Sequence, residues 1–155
     1  MKSIFISLNP TDNARKVALI AAACARETGS RLILFQCYHH SGTPNVERQP
    51  LESERVLQQR LDKLACTLHQ QSGVSVSRLV KPYTGSENVL EIAEQLNATL
   101  VIVCNSDPDA ADIPAVCNKS GVPAILVSTA TPLDETLLRK LITAHFYTPE
   151  TTLTP

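Results

Sequence analysis

The sequence has no tryptophan and only five glycines among its 155 residues. No glycine lies between Gly85 and Gly121, so this part of the chain has no glycine-rich loop that would let backbone N–H groups approach a phosphate. Neither sign of charge is in clear excess, because 14 basic and 15 acidic residues give a formal net charge of -1. This balance gives no electrostatic reason to expect a nucleic acid or an anionic membrane as partner.

Long hydrophobic runs are missing as well. No segment has the length of a membrane span, and the apolar residues Ile4–Ile6 after Lys2 are too few for a signal peptide. Five cysteines occur, an odd number, and none forms a CxxC pair. Their apolar or helical surroundings predict buried, reduced thiols in a cytoplasmic protein.

The prediction of the fold starts from the segment between Ala98 and Thr129. Its apolar run Leu100–Val103 is typical of a parallel strand buried on both faces, and Pro123–Val127 predicts a second one. Between them we expect a polar loop and a short helix that Asp112 caps and Gly121 ends. The loop after such a strand lies at the carboxyl edge of a parallel sheet, where ligands bind.

Strands and helices alternate in the rest of the chain. The predicted strands are Ser3–Leu8, Arg31–Tyr38 and Val74–Val80, the last at an edge; the predicted helices are Ala14–Thr28, Leu51–Gln71 and a helix capped by Ser86 that ends at Leu96. This alternation predicts an α/β fold, a three-layer, doubly wound sheet of five parallel strands.

The chain changes character near residue 130. We expect one domain over residues 1–130, followed over residues 131–155 by a C-terminal helix from Leu133 to His145 and a disordered, Thr- and Pro-rich tail. The helix is interpreted as a cover over one end of the sheet, with a surface for a protein partner as the alternative.

Three segments resemble the universal stress protein family. They are SIFISLN…VALIAAACARETGSRLILFQCY, then GSENVLEIA from Gly85 to Ala93, and then NATLVIV (residues 97–103) with GVPAILV (residues 121–127). The resemblance covers about Lys2 to Thr129 and implies strand order 3-2-1-4-5, the adenine nucleotide alpha hydrolase-like arrangement. It also implies homodimers paired through the last strand, here around Ala124–Val127.

The family's ATP-binding signature is not matched. ATP-binding members carry glycines and a Gly-Ser or Gly-Thr pair after strand four, where this chain has Cys104 and Ala110-Ala111. Only Asn105–Asp109 separates these positions, and the segment is acidic, which repels a triphosphate. The family's Asp at the end of strand one corresponds best to Asn9, with Pro10-Thr11-Asp12 as the second-ranked alignment. ATP binding in the family manner is therefore not expected, and no cofactor is predicted.

Three functions remain open. The first is a non-catalytic, stress-associated regulatory module, with no catalytic residue and no metal. The second is a degenerate nucleotide pocket between strands one and four that binds a nucleoside or another uncharged ligand, lined by Asn9, Pro10, Cys37, Cys104, Asn105 and Ser106. The third is a thiol-based redox sensor or enzyme that uses Cys104. A metal site at Cys37, His39 and His40 is disfavoured, because adjacent strand residues point to opposite faces.

Overall fold

The computed structural model describes residues 2–8, 12–39, 50–83, 89–105, 115–117, 122–128 and 132–147. The elements are, in chain order, β1 (Ser3–Ser7), α1 (Asp12–Thr28), β2 (Arg31–His39), α2 (Pro50–Ser72), β3 (Val76–Tyr83), α3 (Val89–Gln95), β4 (Leu100–Asn105), β5 (Ala115–Cys117), β6 (Ala124–Ser128) and α4 (Glu135–Tyr147). No helix among these is long and apolar enough to cross a membrane.

One sheet joins the strands in the order β3-β2-β1-β4-β6-β5. All pairs except β5–β6 are parallel, and β1 is central because it pairs with both β2 and β4. The five parallel strands are β1 to β4 and β6, and β6 is the fifth of the predicted strands. The predicted order 3-2-1-4-5 is therefore confirmed, with β3 at one edge. Their apolar residues face helices on both sides, which is the burial that a parallel sheet requires.

Helices cover the two faces of the sheet unequally. Buried residues of α1, α2 and α4 pack on the face that carries Ile4, Leu34 and Ile102, which we call the α1 face. Residues of α3 pack on the opposite face over Phe5 and Phe35, which we call the α3 face. The alternation of side chains along each strand produces these two separate cores.

Left-handed residues end the helices where the sequence predicts. Gly29 and Gly73 have φ of 69° and 74°, and Asn97 after α3 has φ of 57°. After α1 the Ser30 N–H donates to the Ala25 carbonyl at 2.8 Å, which satisfies a carbonyl of the last turn. Each reversal feeds the chain directly into the next strand.

The helix predicted between Asp112 and Gly121 is wrong, because Ala115–Cys117 in its middle forms β5. This strand pairs antiparallel with β6, with Val116 opposite Ile125. Without β5, the N–H and C=O groups on the outer side of β6 would form an open sheet edge. Pairing with β5 gives these groups hydrogen-bond partners, which a helix over the same residues would not do. A strand of three residues leaves no recognisable period in the sequence.

A second correction concerns the end of β3. The third predicted strand ends at Val80, but β3 continues to Tyr83. Its partner β2 also continues, so that Tyr38 pairs with Pro82 and His39 with Tyr83. Proline lacks an N–H and is tolerated in this position because β3 is an edge strand.

The C-terminal helix docks on its own chain. Leu138 and Ile142 of α4 are fully buried, and Phe146 is nearly so, all within the core of the α1 face. The helix end is fixed by His145, whose Nε2 donates to the Thr99 carbonyl at 3.2 Å. The helix therefore packs on the α1 face of its own chain, and its role as a cover over one end of the sheet or as a partner surface stays a prediction. The predicted tail from Thr148 lies outside the described residues, and the domain division at residue 130 also stays a prediction.

Candidate functional site

The carboxyl ends of β1, β4 and β6 meet at one edge of the sheet. Ser7, the last residue of β1, lies opposite Phe35 on one side and Val103 on the other. The last pair of the β4–β6 ladder joins Asn105 and Ser128. In a doubly wound sheet this edge is the place where ligands bind, so it contains the candidate site.

Three of the six predicted site residues lie in the part of the chain that the structure describes. Asn9, Pro10 and Ser106 lie outside the described residues. Asn105 is the last residue of β4, and the structure describes its backbone only. Cys37 and Cys104 are described in full, so the geometry of the predicted pocket rests on these two thiols.

Cys37 and Cys104 lie on opposite faces of the sheet. Cys104 is 8% exposed and belongs to the core of the α1 face together with Leu8 and Val127. Cys37 is partly buried and packs against the core of the α3 face, beside Phe35. One small ligand at the carboxyl edge would therefore contact the two side chains from different sides of the sheet.

The environment of Cys104 disfavours thiolate chemistry. Burial raises the pKa of the Cys104 thiol from 9.0 to about 12, because an anion would lose its hydration among apolar side chains. The thiolate is the nucleophilic form, so a raised pKa and a buried sulfur both slow its reactions. The surroundings of Cys104 therefore support a structural role in the core and do not favour a reactive thiol.

The other cysteines are only partly as predicted. Cys24 is buried between α1 and α4, where desolvation raises its pKa. Cys66 contradicts the prediction of buried thiols, because it lies exposed on α2. The long helix has one face to the sheet and one to solvent, and Cys66 falls on the outer face.

Ser128 is a residue that the sequence analysis misses. The last predicted strand ends just before it, at Val127, but the structure makes Ser128 the last residue of β6 and buries it to 6% exposure. Among the residues that the structure describes, its hydroxyl has no hydrogen-bond partner. A buried hydroxyl without a partner is uncommon and costly, and it stands at the edge where ligands of this fold bind. No motif could have identified it, since its burial depends on the neighbouring strands.

Metal binding finds no support in the described parts of the chain. There, no group of three or more His, Cys, Asp or Glu residues is placed to hold a metal ion. His39 is the last residue of β2, described by its backbone alone, and His40 lies beyond the described segment.

Comparison with solved structures gives the same fold. The chain is similar to a universal stress protein from Archaeoglobus fulgidus in complex with dAMP (TM-score 0.58, 16% identity, 83% of this chain and 98% of that chain). It is also similar to a universal stress protein family protein from Arabidopsis thaliana with AMP bound (0.58, 10%, 88% and 99%) and to UspA from Lactobacillus plantarum (0.58, 12%, 71% and 83%).

Comparison with curated proteins finds no match. The model of the universal stress protein family, in contrast, matches residues 1–112, which is most of the chain and includes β1 to β4. The sequence match and the structural likeness agree on the same family. The chain therefore belongs to the universal stress protein family.

Proposed function

We propose that this chain is a non-catalytic, stress-associated regulatory module that does not bind ATP in the manner of the family's ATP-binding members. The observation that carries the proposal is β5, which occupies part of the segment where those members have their phosphate loop and the following helix. The chain has no glycine between Gly85 and Gly121, so the missing loop is not supplied by a neighbouring segment. A triphosphate would lack the backbone N–H donors that hold it elsewhere in the family.

The absence of catalysis is the second part of the proposal. Cys104 is buried with a raised pKa, so the nucleophile that the sequence suggests is held in its neutral form. The described residues at the carboxyl edge also offer no histidine side chain as a base. We therefore expect the protein to act by presenting a surface or a pocket.

A second candidate is binding of adenosine or a nucleoside monophosphate at the carboxyl edge. Relatives in complex with dAMP, with AMP and with cAMP support it, because a monophosphate needs fewer anchoring groups than a triphosphate. The Ser128 hydroxyl, which has no partner in the described part of the chain, offers a hydrogen-bond donor and acceptor at this edge. Asn9, Pro10, Asn105 and Ser106 would complete this pocket.

Calorimetric titration with ATP and Mg²⁺, AMP and adenosine distinguishes these functions. The regulatory module predicts no heat with ATP and no release of ADP during incubation. Heat with AMP or adenosine alone supports the second candidate. Tight ATP binding contradicts the first proposal and shows that other donors replace the phosphate loop.

The role of Ser128 is tested with a matched pair of variants. Ser128→Ala should weaken AMP binding if its hydroxyl contacts the ligand. Ser3→Ala removes the same group from a serine that is also buried but lies at the amino edge of the sheet, and it should leave binding unchanged. Equal affinity of both variants and the wild type would contradict a role of Ser128 in the pocket.

The third candidate, thiol chemistry at Cys104, is tested by alkylation. Cys66 is the internal reference, because it is exposed in the same molecule. Mass spectrometry after a short treatment with iodoacetamide should find Cys66 modified and Cys104 protected. Rapid modification of Cys104 in the folded protein would restore the thiol hypothesis.

We also propose that the protein is a homodimer that uses the end of the sheet around Ala124–Val127. Leu126 supports this, because it is 41% exposed although it is a large apolar residue in a strand. The backbone edge of β6 is already paired with β5, so the second copy would contact side chains or β5. Leu126→Asp should convert a dimer to a monomer in sedimentation analysis, and a monomeric wild type contradicts the proposal.

A further inference from the structure

We draw no further inference here: the strongest candidate, the outer edge of β3, which pairs with no second strand in the part of the chain that the structure describes, carries none because nothing in the structure shows what covers it.

Discussion

Arg139 and Glu27 form an ion pair between α4 and α1, 112 positions apart in the chain, with 2.9 Å between Nη1 and Oε1. Both side chains are about half exposed, and they lie beside a stripe in which Leu138 and Ile142 are fully buried. A charged contact and an apolar contact thus join the same two helices. Their expected contributions differ, because water screens the charges but not the buried surface.

The ion pair should contribute little to stability. Arg139→Gln is expected to lower the free energy of unfolding by less than about 1 kcal/mol, since exposed pairs gain little over their hydrated, separated state. Denaturant unfolding measures this, and a double-mutant cycle with Glu27→Gln isolates the pair. A coupling larger than about 2 kcal/mol would contradict the account of this contact.

The apolar stripe of α4 should contribute much more. Ile142→Ala is expected to cost about 2–5 kcal/mol, because it removes buried methyl groups and leaves a cavity between α4 and the sheet. Lys140→Ala on the exposed side of the same helix is the control and should change the unfolding free energy little. If both variants unfold like the wild type, α4 is not docked on its own chain.

Ser128→Ala should not destabilise the protein. Its hydroxyl is buried and has no partner among the described residues, so replacing it removes a desolvated polar group without breaking any hydrogen bond that the structure shows. We expect an unfolding free energy that is unchanged or higher by up to about 1 kcal/mol. A clear loss of stability in denaturant unfolding would show that the hydroxyl has a partner in the folded protein.

The pKa of Cys104 makes stability depend on alkaline pH. Below pH 9.0 the thiol is protonated in both the folded and the unfolded chain, so its contribution is fully present. Between pH 9.0 and about 12 the unfolded chain loses the proton while the folded chain keeps it, so stability falls as pH rises. Unfolding measured across this range for wild type and Cys104→Ala should show a steeper decline for the wild type, and parallel curves would contradict the raised pKa.

The sequence predicts most of this fold because its signals are local. The runs Ile4–Ile6 and Leu100–Val103 are continuous apolar segments, and the left-handed turn at Asn97 uses a residue type suited to it. The stripe of α2 that faces the sheet can also be read from its spacing. Such features depend on neighbours in the chain, so they require no knowledge of tertiary contacts.

The errors concern residues whose state depends on distant partners. Ala115–Cys117 forms β5 only because β6 offers an edge, and the burial of Ser128 follows from the same neighbours. The candidate pocket was harder still to predict. Strand alternation assigns a side chain to a face only within its own strand, so the register between β1, β2 and β4 is needed to show that Cys37 and Cys104 lie on opposite faces.

The central claim is that β5, in the segment between β4 and β6, pairs with β6 and closes the outer edge of the sheet. Backbone NMR of the labelled protein tests it most directly. We predict nuclear Overhauser effects between Val116 and Ile125, which lie opposite each other in the antiparallel β5–β6 ladder. Continuous helical connectivities from Asp112 to Ser120, without contacts to β6, would contradict the claim and reopen the question of a phosphate site after β4.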